Sequence, residues 1–191
     1  MSKKLEEYVV TIPDFPEPGI MFRDITSVIQ DPDGLKLAVD GLVNLLKDTE
    51  YDLVVGPESR GFIFGVPVAY LTGKGFVPVR KKGKLPHAEG DLVGVDITKE
   101  YGKDQLYFRL SDIAAGKPEG DVFRVTFFDD VLATGGTAKG VAEGLARHKV
   151  HYQGKDYRIE VADFVFLVEI DALEGKQLLE PIAPVKSLIH I

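Results

Sequence analysis

Two adjacent carboxylates, Asp129 and Asp130, follow an apolar, β-branched and aromatic run and precede a small-residue turn in Val125–Thr137, VTFFDDVLATGGT. The turn has the composition of a phosphate site. Gly135 and Gly136 let backbone N–H groups converge without Cβ obstruction, and Thr134 and Thr137 add hydroxyl donors. A helix starting just beyond would direct its positive end at the same spot. The two acids would repel a bare phosphate, so they suit a hydroxylated or magnesium-bearing part of the ligand. A sugar with a phosphate on one end satisfies both halves. Three more polar clusters accompany this one. Glu58, Ser59 and Arg60 stand between Gly56 and Gly61 in GPESRGFIFG; Arg80, Lys81, Lys82 and Lys84 put four cations in five positions; Glu100 and Tyr101 sit in the turn KEYGKD. Each has a plainer reading: Arg60 pairs with Glu58 on the surface, the charge run is a solvated face, and Glu100 and Tyr101 are ordinary turn residues. The cations come directly after a strand and beside two other polar turns, which favours a polyanion site.

For these clusters to meet, several strand ends must reach one edge of a sheet. Tyr51–Val55, Gly75–Val79, Val122–Phe128, Ile159–Ile170 and Lys186–His190 have strand composition, the fourth being the longest and expected to be central. Asp31–Thr49 reads as a helix, with Asp31 as N-cap, Pro32 at the first position, and Leu35, Ala38, Val39, Leu42, Val43 and Leu46 on one face. Phe62–Leu71 continues as an apolar helix despite Gly65 and Pro67, another helix runs from the Gly135–Gly136 turn to about Arg147, and Asp171–Leu179 forms a short one. Alternation of this kind predicts an α/β fold with a mainly parallel sheet flanked by helices. Such sheets bind ligands at the carboxyl ends of their strands. Asp91–Leu110 alternates as two strands, a β-hairpin outside the main sheet that can serve as a flap. Residues 1–10 suit a short helix or a strand equally. In Ile12–Thr26, three prolines and a glycine predict an ordered loop without regular structure, carrying Phe15, Met21, Phe22 and Arg23. That loop either caps the core or holds a ligand. His148 and His151 have metal-site spacing, but with no acidic partner nearby a surface reading is preferred.

The 191 residues suit one domain, and the net charge of −7 argues against a general binder of nucleic acid or membrane surfaces. Absence of cysteine removes disulfides, thiolate metal sites and cysteine nucleophiles together. No apolar run approaches the ~18 residues of a membrane span, and MSKKLEEYVV has no apolar core of a secretory signal. Two common nucleotide signatures, GxxxxGK[ST] and GxGxxG after the first strand, are missing.

FFDDVLATGGT resembles the phosphoribosyl-diphosphate (PRPP) signature of type I phosphoribosyltransferases: an apolar strand, two acids, two apolar residues and a TGGT-type turn. FPEPGIMFRDIT, GPESRGFIFG with VRKKGKLP, and KEYG sharpen the resemblance to the adenine phosphoribosyltransferase family, in its order and at about its spacing. The similarity runs from about residue 12 to the C-terminus. It implies a type I phosphoribosyltransferase-like fold in a single domain, 1–191, with 12–26 as N-terminal base-binding loop and 81–110 as cationic loop and β-hairpin flap. The implied reaction is adenine plus PRPP giving AMP and pyrophosphate, a purine-salvage step. Mg²⁺ would be bound mainly through substrate phosphates and water, with no direct protein ligand. A cytoplasmic homodimer is implied, with small-molecule substrates and neither nucleic acid nor membrane as partner.

Carried over position by position, Ala133, Thr134, Gly135, Gly136 and Thr137 would bind the 5′-phosphate, and Asp129 and Asp130 the ribose hydroxyls. Arg60 and its turn would meet pyrophosphate, with a cis peptide expected between Glu58 and Ser59. Arg80, Lys81 and Lys84 would screen pyrophosphate as it leaves. Phe22 and Val131 would sandwich adenine, the backbone at Met21 and Arg23 would read its edge, and Glu100 would reach N7 as the catalytic residue. The chain departs from the family pattern at Glu58, where Asp is commoner, at Lys99, where an apolar residue is commoner, and in a longer Arg147–Arg158 segment. Two alternatives stay open: a phosphoribosyltransferase for xanthine, hypoxanthine or guanine, and a PRPP-sensing regulator without turnover. The regulator reading lacks spare length for a DNA-binding module.

Overall fold

The computed structural model describes residues 3–15, 17–99, 102–118 and 120–191. After a 3₁₀ turn at Leu5–Tyr8, the chain forms β1 (Val10–Pro13), β2 (Met21–Asp24), α1 (Thr26–Gln30), α2 (Pro32–Leu45), β3 (Leu53–Pro57), α3 (Arg60–Leu71), β4 (Gly75–Lys81), β5 (Leu92–Lys99) and β6 (Gly102–Arg109). It continues with α4 (Leu110–Ala114), β7 (Val122–Leu132), α5 (Gly136–Ala146), β8 (Lys149–Tyr152), β9 (Lys155–Glu169), a 3₁₀ turn at Asp171–Leu173, α6 (Gly175–Leu179) and β10 (Val185–His190).

The main sheet has the order β10-β9-β7-β3-β4-β6-β5, with β8 paired to β9. The pairs β10/β9, β9/β7, β7/β3 and β3/β4 are parallel. Successive side chains of a strand point to opposite faces, and each face of this sheet has its own core. Leu53, Val55, Phe123, Val125 and Phe127 join the cluster that takes Ala138, Val141, Ala142 and Leu145 from α5. Val54, Phe128 and Val165 join the other, with Ala38, Val39 and Leu42 of α2 and Phe64 and Val68 of α3. Phe64, Phe108, Phe123, Phe127 and Phe128 are fully buried, each contributing roughly 1.5–3 kcal/mol of hydrophobic stabilisation. Asp31 caps α2 as expected: its carboxylate accepts from Asp33 N at 2.9 Å and Gly34 N at 3.2 Å.

The buried Asp163 is a structural group, placed well before the carboxyl end of β9. It accepts from Thr126 Oγ1 at 2.7 Å and Thr49 Oγ1 at 2.9 Å, and pairs with Lys186 Nζ at 3.0 Å. One carboxylate thereby ties β7, β9, β10 and the turn after α2, and removing a partner would strand a buried charge.

Six expectations are corrected. Ile12–Thr26 is regular at both ends: β1 and β2 pair antiparallel, with Ile12 opposite Phe22 and Pro13 opposite Met21, and α1 begins at Thr26. Pro13 ends its strand, where a missing N–H is tolerated. The β5–β6 hairpin lies inside the main sheet, because β6 pairs antiparallel with β4 through Arg80↔Tyr107 and Lys81↔Leu106. β7 runs on to Leu132, so the acid pair is within the strand. β9 is flanked by β7 and β10, one place in from the edge, and β7 and β3 hold the middle of the order. α2 stops at Leu45, four residues short of Thr49. The 148–158 segment is a β8–β9 hairpin in which His151 Nδ1 does have an acidic partner, Asp156 Oδ1 at 2.8 Å, while His148 Nδ1 meets Gly144 O at 2.7 Å.

Candidate functional site

At the carboxyl ends of β3 and β7 the chain leaves a cavity of about 460 Å³. Its walls are Pro57–Arg60, the stretch Asp129–Ala138, Lys81 and Leu106. The acid pair and the small-residue turn therefore share one space with the Glu58–Arg60 turn, as the sequence implied.

Asp129 and Asp130 alternate across β7. Asp130 is 2 % exposed, and its Oδ2 is buried without a hydrogen-bond partner. Arg60 Nε approaches that oxygen at 3.1 Å, a charge contact. Asp129 Oδ1 accepts from the Asp130 N–H at 2.9 Å. Burial, and then the charge of Asp130, push the Asp129 carboxyl well above the usual carboxylate range. Such a pair welcomes hydroxyl donors or cationic character opposite it.

The turn then delivers the chain into α5. Gly135 is its N-cap with φ 80, a left-handed conformation that favours glycine. Thr134, Gly135, Gly136 and Thr137 all face the cavity, at the positive end of an 11-residue helix.

Opposite stands the start of α3. The Glu58–Ser59 peptide is cis, as the resemblance implied. Arg60 does not pair with Glu58. Instead Glu58 Oε2 accepts from Arg80 Nε at 2.8 Å and Lys81 N at 3.2 Å. Burial raises the Glu58 pKa, but these hydrogen bonds and the charges of Arg80 and Lys81 outweigh it, leaving the carboxyl below its usual range. Arg80 also donates through Nη1 to Lys84 O at 3.1 Å. Of the three cations expected at pyrophosphate, Lys81 borders the cavity, whereas Arg80 is engaged in holding Glu58 and the loop, and Lys84 lies outside the lining.

Arg60 also connects the cleft to the N-terminal hairpin, its guanidinium lying 5.7 Å from the Phe22 ring centre. Phe15 packs edge-on against the same ring at 5.1 Å. Arg23 turns back onto β1, donating through Nη1 to Thr11 Oγ1, so its side chain is engaged there. Met21 is 52 % exposed, and Val131 lines the cavity. The expected catalytic residue Glu100, with its neighbour Tyr101, lies outside the described residues. The strands leading to them pair as far as Lys99↔Gly102.

Among the described residues, Glu169, Asp171 and His190 have donor atoms close enough to hold a metal ion. They satisfy one another already: His190 Nδ1 is 2.9 Å from Asp171 Oδ1, and Glu169 Oε2 accepts from Ser187 Oγ at 2.6 Å. Two glycines shape the cleft: Gly61, which brackets the Glu58–Arg60 turn in the sequence, and Gly175, which sequence reasoning passed over. A Cβ on Gly61 would lie 3.0 Å from Phe128 O and 3.3 Å from Asp129 Oδ1, and one on Gly175 would strike the Ala133 carbonyl. Gly175 carries no local signal, because its constraint comes from backbone far away in sequence.

No family model matches the chain. It is 44% identical over 178 residues to the adenine phosphoribosyltransferase of Lachnoclostridium phytofermentans, covering 93% of this chain and 92% of that protein. Among solved structures it is similar to adenine phosphoribosyltransferase from Thermoanaerobacter pseudethanolicus, with a TM-score of 0.81, 36% identity, and coverage of 98% and 100%. It is also similar to the Saccharomyces cerevisiae enzyme, solved with adenine and an imino-altritol bisphosphate, with a TM-score of 0.75, 32% identity and 96% coverage of each chain.

Proposed function

The chain belongs to the adenine phosphoribosyltransferase family, and from that premise we propose how its cleft carries out the family's reaction. The enzyme transfers the phosphoribosyl group of PRPP to adenine, giving AMP and pyrophosphate, a purine-salvage step. The observation that carries the reading of the cleft is the juxtaposition, around one cavity, of the acid pair, the hydroxyl-rich turn at α5 and the start of α3.

In this reading Ala133–Thr137 holds the 5′-phosphate through backbone N–H groups and the hydroxyls of Thr134 and Thr137. Asp129 and Asp130 face the ribose hydroxyls. Arg60, at the N-terminus of α3, and Lys81 attract the pyrophosphate, while Arg80 acts through Glu58 and, with Lys84, through the loop. As the C1′–O bond breaks, its electron pair leaves with pyrophosphate and the sugar gains oxocarbenium character. The neighbouring carboxylates stabilise that charge, and the cations stabilise the leaving group. N9 of adenine closes on C1′, and Glu100 handles the proton at the purine ring.

Adenine rests between Phe22 and Val131. Among the described residues β2 pairs only with β1, which leaves alternate backbone groups along its other edge to present both donors and acceptors. The 6-amino group wants an acceptor and the ring nitrogens want donors, which suits backbone groups at Met21 and Arg23. The buried Asp130 oxygen without a hydrogen-bond partner fits a ribose hydroxyl or a water of hydrated Mg²⁺. Mg²⁺ supplies charge neutralisation of the diphosphate when bound, chiefly through substrate phosphates and water.

A homodimer suits the outer surface of α3, where Val66, Tyr70 and Leu71 are 47 %, 82 % and 54 % exposed. Among the described residues no helix is long and apolar enough to cross a membrane, and we place the enzyme's work in the cytoplasm. Calorimetric titration with PRPP tests the cleft: Mg²⁺ should strengthen binding, and Arg60→Ala should weaken it by on the order of tenfold or more. Unchanged affinity in Arg60→Ala would remove Arg60 from the site.

A further inference from the structure

The wall behind the phosphate turn comes from a segment with no chemistry of its own. Beyond β9, Ile170 N donates to Leu132 O at 2.9 Å, so the segment sets off hydrogen-bonded to the last residue of β7. It then passes through Glu174 at φ 54 and enters α6 at Gly175. A non-glycine residue keeps such a left-handed conformation only where its surroundings over-determine it. The next residue, Gly175, is the one that packs on the turn Ala133–Gly135. At Gly175 a Cβ would collide with Ala133 O, and would lie 2.9 Å from Leu132 Cδ1 and 3.1 Å from Ala133 C. From the other side, a Cβ on Gly135 would lie 2.9 Å from Gly175 O. Both Ala133 and Gly135 are therefore seated directly on the Gly175 backbone, with no side chain between them to yield.

We propose that Gly175 is a positioning residue for the ribose 5-phosphate, acting through the backbone of Ala133–Gly135. The inference rests on the reading of Ala133–Thr137 as the 5′-phosphate site. The physical link is the Ala133–Thr134 peptide. Its carbonyl abuts Gly175, and its N–H belongs to the turn that receives the phosphate. A methyl group at 175 displaces the carbonyl, and the rigid peptide plane carries the N–H with it. The base hairpin and the start of α3 belong to other elements and keep their places. Loss of affinity is thus confined to the phosphoribosyl part of the substrate.

Ribose 5-phosphate is the probe. In the wild-type protein, amide NMR should show Gly175 shifting together with Ala133–Thr137 at a common Kd. No response from Ala133–Thr137 would overturn the 5′-phosphate reading itself; a response there with Gly175 unmoved would overturn only the role of Gly175. Gly175→Ala should raise the Kd for ribose 5-phosphate and the KM for PRPP at least tenfold, the scale of one charge-assisted hydrogen bond, with the KM for adenine within about twofold. Ile113→Ala removes fully buried core on α4, an element outside the cavity lining. It should lower Tm and leave the PRPP KM within about twofold. A PRPP KM unchanged in Gly175→Ala, or raised equally in Ile113→Ala, would overturn the proposal. Should Gly175→Ala fail to fold, the wild-type titration decides.

Discussion

Helix α5 links the glycine-rich turn at its start to strand β5, and the linkage depends on glycine. A Cβ on Gly144 would overlap Val95 Cγ1 and lie 3.2 Å from Val95 Cβ. A Cβ on Gly140 would lie 2.7 Å from the backbone oxygen of Asp96 and 2.8 Å from Ile97 Cγ2. In an open helix, Gly→Ala would stabilise by about 1 kcal/mol. Here the overlap intrudes on a close-packed core, where overpacking costs about 1–3 kcal/mol. Gly144→Ala should therefore be destabilising by about 0–2 kcal/mol net, which lowers Tm by up to about 8 °C at ~2–4 °C per kcal/mol for a chain of this size. The clashing atom belongs to a side chain, so Val95→Ala in the same protein should recover the loss and expose the helix-propensity gain. The expected coupling in the double-mutant cycle is about 1–3 kcal/mol. Gly140→Ala meets backbone, and Ile97→Ala should not rescue it. Thermal melts of the four single and two double variants give the energies, and kcat reports displacement of the flap. Additive effects of Gly144→Ala and Val95→Ala, or full rescue of Gly140→Ala by Ile97→Ala, would refute the packing argument.

Other outcomes follow from the site. Glu100→Gln should lower kcat by on the order of 10²–10⁴, the range of general acid–base catalysis; a kcat within about twofold of wild type removes that role. Asp129 has a raised pKa in the folded protein, so the native state holds its proton longer and stability falls as pH climbs from the unfolded carboxyl value of about 3.9 through the folded one. Asp129→Asn should then melt higher than wild type at pH 7 while AMP formation drops by on the order of 10²-fold; a lower Tm at pH 7, with equal Tm differences at pH 4 and 7, contradicts the burial argument. Glu58 shows the opposite sign: its depressed pKa contributes stability above the unfolded carboxyl value that is lost as pH falls through the folded one, so Glu58→Gln should flatten the acid limb of the Tm–pH curve. An acid limb as steep as that of wild type would show that Glu58 does not carry it.

What was legible in the chain was local. The Val125–Thr137 stretch announces itself because a buried strand and a glycine-rich helix start are both short-range patterns, and its acids and turn do share one cavity. Asp31 and Pro32 mark their helix for the same reason. Partner choice was not legible. Glu58 is two residues from Arg60 in sequence, yet β4 brings Arg80 to it and β7 brings Asp130 to Arg60. The β1–β2 hairpin was masked by its prolines, and the seating of β6 on β4 depends on an edge that exists only once the sheet is assembled. Gly140, Gly144 and Gly175 are required by approaching backbone or side chains from remote segments, and nothing beside them in sequence distinguishes them from glycines with open space around them.

The cleft is read as joining ribose 5-phosphate from PRPP to adenine. Release of pyrophosphate, followed with adenine, hypoxanthine, guanine and xanthine offered separately in the presence of PRPP and Mg²⁺, tests it most directly. Adenine should give release, with AMP as the co-product, and the three oxopurines little or none. No release with adenine, or release with an oxopurine alone, would contradict it.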